Sequence, residues 1–124
     1  MNWTREWVRD LKKRFVKMDE SIDETVTAMQ SGNEGYQKLT AIVEEMSQLF
    51  ESMAKMNERV SEDDSAFFQK MIAQTQRTNQ VLNGIVNAMT SGDVVLIADL
   101  LQYELKERLG EWSKLLKDVE HKFH

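Results

Sequence analysis

The chain contains two imidazoles, His121 and His124, and no cysteine. Acid–base and nucleophilic chemistry near neutral pH most often needs one of these groups held firmly in place. Both histidines fall within the last four residues, whereas a phosphotransfer histidine belongs mid-helix on a firm bundle face. Asp118-x-x-His121 comes nearest to the Glu-x-x-His unit of carboxylate-bridged di-metal bundles. That centre needs two such units plus Glu from the other helices, so a terminal tail is the better account of a single one. No glycine-rich phosphate loop occurs. The reading is therefore a chain with no catalytic, cofactor-binding or metal-ligating residues and no cofactor.

Glu44-Glu45 resembles the paired acids of magnesium-dependent helical nucleotide hydrolases. Those sites need further acids at fixed spacing, and position 48 here is Gln. The pair is read as surface charge.

Three other constellations carry information. In Ala98–Leu105, Asp99 and Tyr103 are four apart and share a helix face, and Glu104 lies beside the Leu101–Leu105 stripe. The simple reading is ion pairs and hydrogen bonds that fix helix register; the functional one is an interaction patch. The opening segment pairs Trp3, Trp7 and Phe15 with Arg9, Lys12 and Lys13. Between residues 5 and 17 it has six basic and two acidic residues, in a chain whose net charge is −5. That pattern suits an interfacial or target-binding helix. The simpler alternative makes Trp7 and Phe15 core and pairs the basic face with Glu44, Glu45 or Asp118. Finally, Thr75, Thr78 and Asn79 fall where Met71 and Leu82 lead one to expect core. They form either a hydrogen-bonded polar layer or the wall of a small pocket between helices.

The elements that must position these groups follow from apolar periodicity. Trp3, Trp7, Leu11, Phe15, Met18, Ile22, Val26 and Met29 recur at steps of three or four, one face of a helix. Tyr36, Leu39, Val43, Met46, Phe50 and Met53 repeat the pattern, as do Phe67, Phe68, Met71, Ile72, Leu82, Ile85, Val86 and Met89. The last segment has the widest stripe: Leu96, Ile97, Leu100, Leu101, Leu105, Leu109, Trp112, Leu116, Val119 and Phe123. Ser31-Gly32 and Ser91-Gly92 end two helices, with Asn33 and Asp93 as N-caps of the next. Ser61–Asp64 is acidic and cap-like but holds neither Gly nor Pro, which leaves a continuous rod through it as the competing reading.

The expected helices are 3–31, 34–60, 63–91 and 94–122 within a single domain covering 1–124. Each has one apolar stripe and none is stable alone, so they close into an all-α, antiparallel up-down four-helix bundle. Val26–Asn33 returns 60 residues later as Val86–Asp93 with five identities, so two pseudo-repeated helical hairpins are an added expectation.

The chain has 124 residues, no proline and five glycines, which suits long unbroken helices. No apolar run approaches the ~20 residues of a membrane span, and the start lacks a signal-peptide core, so the cytoplasm is the expected location. The acidic balance opposes nucleic-acid binding. Eight methionines are read first as core filler and second as a groove for partner helices. Small, acidic, Met-rich helical chains resemble, as a class, the flagellar and secretion export chaperones. The expected role is a non-catalytic adaptor or chaperone-like module that binds a protein partner or itself. The alternatives are a peripheral binder of anionic membrane surfaces through the first helix, and a small-molecule or enzymatic bundle with a pocket near Asn79.

Overall fold

The computed structural model describes residues 5–32, 34–60 and 65–120. It is an all-α, antiparallel four-helix bundle. Three helices, α1 (Arg5–Ser31), α2 (Glu34–Val60) and α3 (Ser65–Ser91), have the same length. The fourth rod runs without a break through α4 (Val94–Asp99), a π-helical turn (Leu100–Leu105) and α5 (Lys106–Glu120). Trp3 and Asn33 lie outside the described residues, as do Ser61–Asp64 and both histidines.

Cross-helix contacts establish the up-down order. Arg14 meets Glu45, and Arg9 and Lys12 meet Glu120, while Lys106 meets Asp19 and Asp23. α2 and α3 also run side by side in opposite directions, with Phe50 and Met53 across from Met71 and Thr75. α2 and α3 are therefore two antiparallel helices rather than one rod, and the junction itself lies outside the described residues. α1 packs on α2 and on the fourth helix, and α3 packs closely on the fourth helix. The α2–α3 seam is the loosest of the four.

Both expected glycine turns form. Gly32 has φ 132° and Gly92 φ 69°, a region that side chains with a Cβ avoid. After Gly92, the Asp93 carboxylate accepts from Leu96 N at 3.1 Å and caps the fourth helix. Past Gly32, Gly35 lets α2 approach α1: a Cβ there would lie 2.2 Å from Met29 Cγ and 2.6 Å from its Cα.

The Ser31-Gly32 helix end recurs 60 residues later at Ser91-Gly92, with both glycines at positive φ. The interiors differ. Phe15 and Met18 are buried apolar residues, whereas their counterparts Thr75 and Thr78 are polar.

The core follows the expected stripes with corrections: in α2, Ile42 and Leu49 are buried while the expected Val43 and Phe50 are half-buried, and in α3, Ile72 is half-buried and Val86 is exposed beside the buried Ile85. In α1 it starts at Val8, and Trp7 is only partly covered. Trp112 occupies the centre. Its ring stacks on Phe15 of α1 at 6.1 Å between centroids and is tilted against Phe50 of α2 at 6.1 Å. Its Nε1 donates to Thr78 Oγ1 of α3 at 2.9 Å. One residue thus touches all three other helices.

Candidate functional site

Along α1 the buried residues Val8, Leu11, Phe15, Met18 and Ile22 alternate steps of three and four; so do Leu39, Ile42, Met46, Leu49 and Met53 of α2. The average of 3.5 keeps a stripe facing a neighbour in a left-handed bundle. The fourth helix departs from this. Its buried residues Ile97, Leu101, Leu105 and Leu109 are separated by three consecutive steps of four. In a regular α-helix each such step overshoots a full turn by about 40°, so three would swing the stripe about 120° off the core. The π-helical turn absorbs this drift by admitting an extra residue, closing with i→i+5 bonds. Lys106 N donates to Leu101 O in that pattern. Gly84 of α3 faces Leu100 where the turn begins, and a Cβ there would sit in ordinary contact with Leu100 Cδ1 at 3.4 Å.

The same geometry straightens the opposite face. Residues two positions away from the core track, Asp99, Tyr103 and Glu107, are all exposed, and Val95 precedes them at the same spacing. Where steps of four stay in line, these side chains form a ridge parallel to the bundle axis. Val95 is 73% exposed, Tyr103 69% and Leu96 43%. Asp99 and Glu104 make no ion pair or side-chain hydrogen bond among the described residues.

Two cations fix the ridge's orientation. Lys106 reaches across to α1, bonding Asp23 at 2.9 Å with Asp19 at 3.7 Å. The hydrogen bond to Asp23 raises the Lys106 ammonium above its ordinary value, with help from Asp19 and against partial burial. On the other flank Arg108, largely covered, reaches Gln74 Oε1 of α3 at 3.5 Å and Glu107 Oε1 at 3.1 Å. Held from both sides, the helix presents Tyr103 to solvent. Beside it runs a polar groove of about 290 Å³ between Arg77, Gln80 and Val81 of α3 and Glu104, Glu107 and Arg108.

The structure therefore brings Asp99, Tyr103 and Glu104 together on one exposed surface. Leu96, expected in the buried stripe, belongs to that surface instead, because the helix starts at the bundle's end where no neighbour overhangs it. Three basic residues of α1 pair with acids on neighbouring helices. Arg9 and Lys12 both bond Glu120, the latter at 3.1 Å, and Arg14 bonds Glu45 at 2.9 Å. The acid expected at Asp118 is thus Glu120, two residues further on and about 200° around the helix. Arg9 and Lys12 hold the Glu120 carboxyl below its usual range. Lys13 and Lys17 stay exposed without ion pairs among the described residues.

The expected polar layer is partly corrected. Thr78 is buried and bonded to Trp112, Thr75 is half-buried and donates to Met71 O at 2.8 Å, and Asn79 is exposed. One residue past Thr78, Asn79 is turned about 100° from the interior, and the indole fills the space beside Thr78. Thr25 of α1, absent from the expected layer, is also buried and donates to Ser21 O at 2.7 Å. Two methionines, Met53 and Met71, line a groove of about 200 Å³ in the α2–α3 seam. Among the described residues no cluster of three or more His, Asp or Glu could hold a metal ion, and no helix is long and apolar enough to cross a membrane.

Fold and surface together define a small helical bundle with an exposed acidic–apolar face on its last helix. A family model described as a domain of unknown function (DUF8042) matches residues 6–115, nearly the whole bundle, and the chain belongs to that family. No curated protein and no solved structure matches it.

Proposed function

We propose that the chain is a non-catalytic interaction module, adaptor or chaperone-like, acting in the cytoplasm and offering the outer face of its fourth helix to a protein partner. The observation that carries this reading is the exposure of Val95, Leu96 and Tyr103 within nine residues of the fourth helix, beside the exposed acids Asp99 and Glu104. Single exposed apolar side chains are ordinary; a contiguous group rimmed by polar residues marks an interaction surface. Tyrosine is also enriched where proteins meet, because its ring adds contact area at little entropic cost. A π-helical turn at the same place adds weight, since such turns recur at functional sites.

The anionic-membrane alternative loses ground because Arg9, Lys12 and Arg14 are engaged with Glu120 and Glu45. What remains for a surface is Lys13, Val16 and Lys17.

The test is affinity capture from native lysate with the parent chain and with Val95→Asp/Tyr103→Asp, after circular dichroism has shown equal helicity. Proteins recovered by the parent and lost by the variant support the reading. Equal recovery, or none, removes it.

A further inference from the structure

We infer that the partner of the fourth-helix face is an amphipathic α-helix whose apolar stripe is flanked by Lys or Arg. This rests on the docking role proposed above and specifies what docks. The surface is itself helical, so its backbone N–H and C=O groups are used internally and offer no edge to an incoming strand. Recognition must come from side chains. The ridge Val95–Asp99–Tyr103–Glu107 is about 18 Å long at ~1.5 Å per residue, or roughly three turns of a second helix lying alongside it. A partner helix places apolar side chains at that repeat on one face, where Val95, Leu96 and Tyr103 can cover them.

Charge selects the flanks. Asp99 and Glu104 border the apolar residues without ion-pair partners among the described residues. Of the nearby cations, Lys106 is drawn off to Asp19 and Asp23, while Arg108 is taken up by Gln74 and by Glu107, the last residue of the ridge. Across the groove on α3, Arg77 is the one cation on that side without an ion pair among the described residues, set behind Glu104. An acidic helix would meet two carboxylates, Asp99 and Glu104, that hold no ion pair among the described residues, and a basic one would pair with both. In a second copy, Arg9, Lys12, Arg14 and the apolar stripe of the basic helix are already engaged within the bundle, which leaves Lys13 and Lys17 with the single apolar Val16 rather than an apolar stripe.

The test replaces Tyr103 with p-benzoylphenylalanine in the full chain, with exposed Gln48 of α2 as the control position. Cells are irradiated and the cross-linked segments are sequenced by mass spectrometry. The expected result is adducts at 103 on segments with apolar side chains at helical spacing and flanking Lys or Arg. Charge reversal by Asp99→Lys/Glu104→Lys should lower their yield at least tenfold, and Asp99→Asn/Glu104→Gln should lower it less. Adducts at 103 on acidic or neutral segments, or a yield indifferent to charge reversal, overturn the partner's chemistry and leave the docking face standing. Adducts at 48 but not at 103, or none at either, remove the docking face itself. Adducts to a second copy of this chain overturn the inference in favour of self-association.

Discussion

Trp112 Nε1 donates to Thr78 Oγ1 at 2.9 Å in the middle of the bundle, with both residues inaccessible to solvent. The hydroxyl donates in turn to Gln74 O at 2.7 Å. The indole N–H is thereby satisfied where no water reaches it, and α3 is fixed in register against the fourth helix.

Thr78→Val keeps the shape of the side chain and removes the acceptor. The indole N–H is then buried without a partner, at an expected cost of about 1–3 kcal/mol. Thr78→Ser keeps the bond and should cost less. Urea unfolding followed at 222 nm measures both, and equal losses would mean that packing, not the hydrogen bond, governs this site.

Glycine at 35 and at 110 should respond oppositely to alanine. At Gly35 the new Cβ collides with Met29, backbone included, and overpacking of this kind costs about 1–3 kcal/mol. Gly110 lies within α5 with nothing near its would-be Cβ, so Gly110→Ala should add about 0.5–1 kcal/mol of helix propensity. Thermal midpoints moving in the same direction would contradict the placement of α2 on α1.

Acid should loosen the α1–α5 contact. Glu120 has its carboxyl lowered below 4.5 by Arg9 and Lys12. Its contribution is fully present above the unfolded-state value and fades as pH falls through the lower folded-state value. Between pH about 6 and about 3, Glu120→Gln should therefore lose less stability than the parent. Arg9 is mostly exposed, so added salt should shrink the difference. Parallel stability–pH curves for the two proteins would show that the pair does not contribute.

Deleting Gln102 should convert the π-helical turn to regular α-helix. The core spacing from Ile97 would become four, three, four, which matches the steps Ile42, Met46, Leu49, Met53 of α2. The shortened chain should keep its helicity and a thermal midpoint no lower than the parent's, while its ridge loses alignment and partner capture falls. A chain that unfolds on this deletion would show that the extra residue is needed for folding itself.

Much of the fold was legible because short-range rules dictate it. Ser31-Gly32 and Ser91-Gly92 announce helix ends, Asp93 announces a cap, and alternation of three and four announces the stripes of α1 and α2. The polar layer was half legible. Thr78 sits on the core track, but Asn79 shares its neighbourhood in sequence and not its direction on the helix. The π-helical turn left a signal that simple periodicity passes over: the spacing of Ile97, Leu101, Leu105 and Leu109 fits an ordinary helix pair by pair and fails only when the steps are summed. Which acid would meet Arg9 depended on the rotation of the fourth helix, and that rotation is set by the turn.

The uneven seams have a mechanical consequence. α2 packs mainly on α1, and α3 mainly on the fourth helix, so among the described residues the thinnest contact lies between two lips, α2 and α3. Thermal breathing should part those lips before any other joint, exposing Met53 and Met71 to oxidants while Ile22 and Leu105 stay sealed.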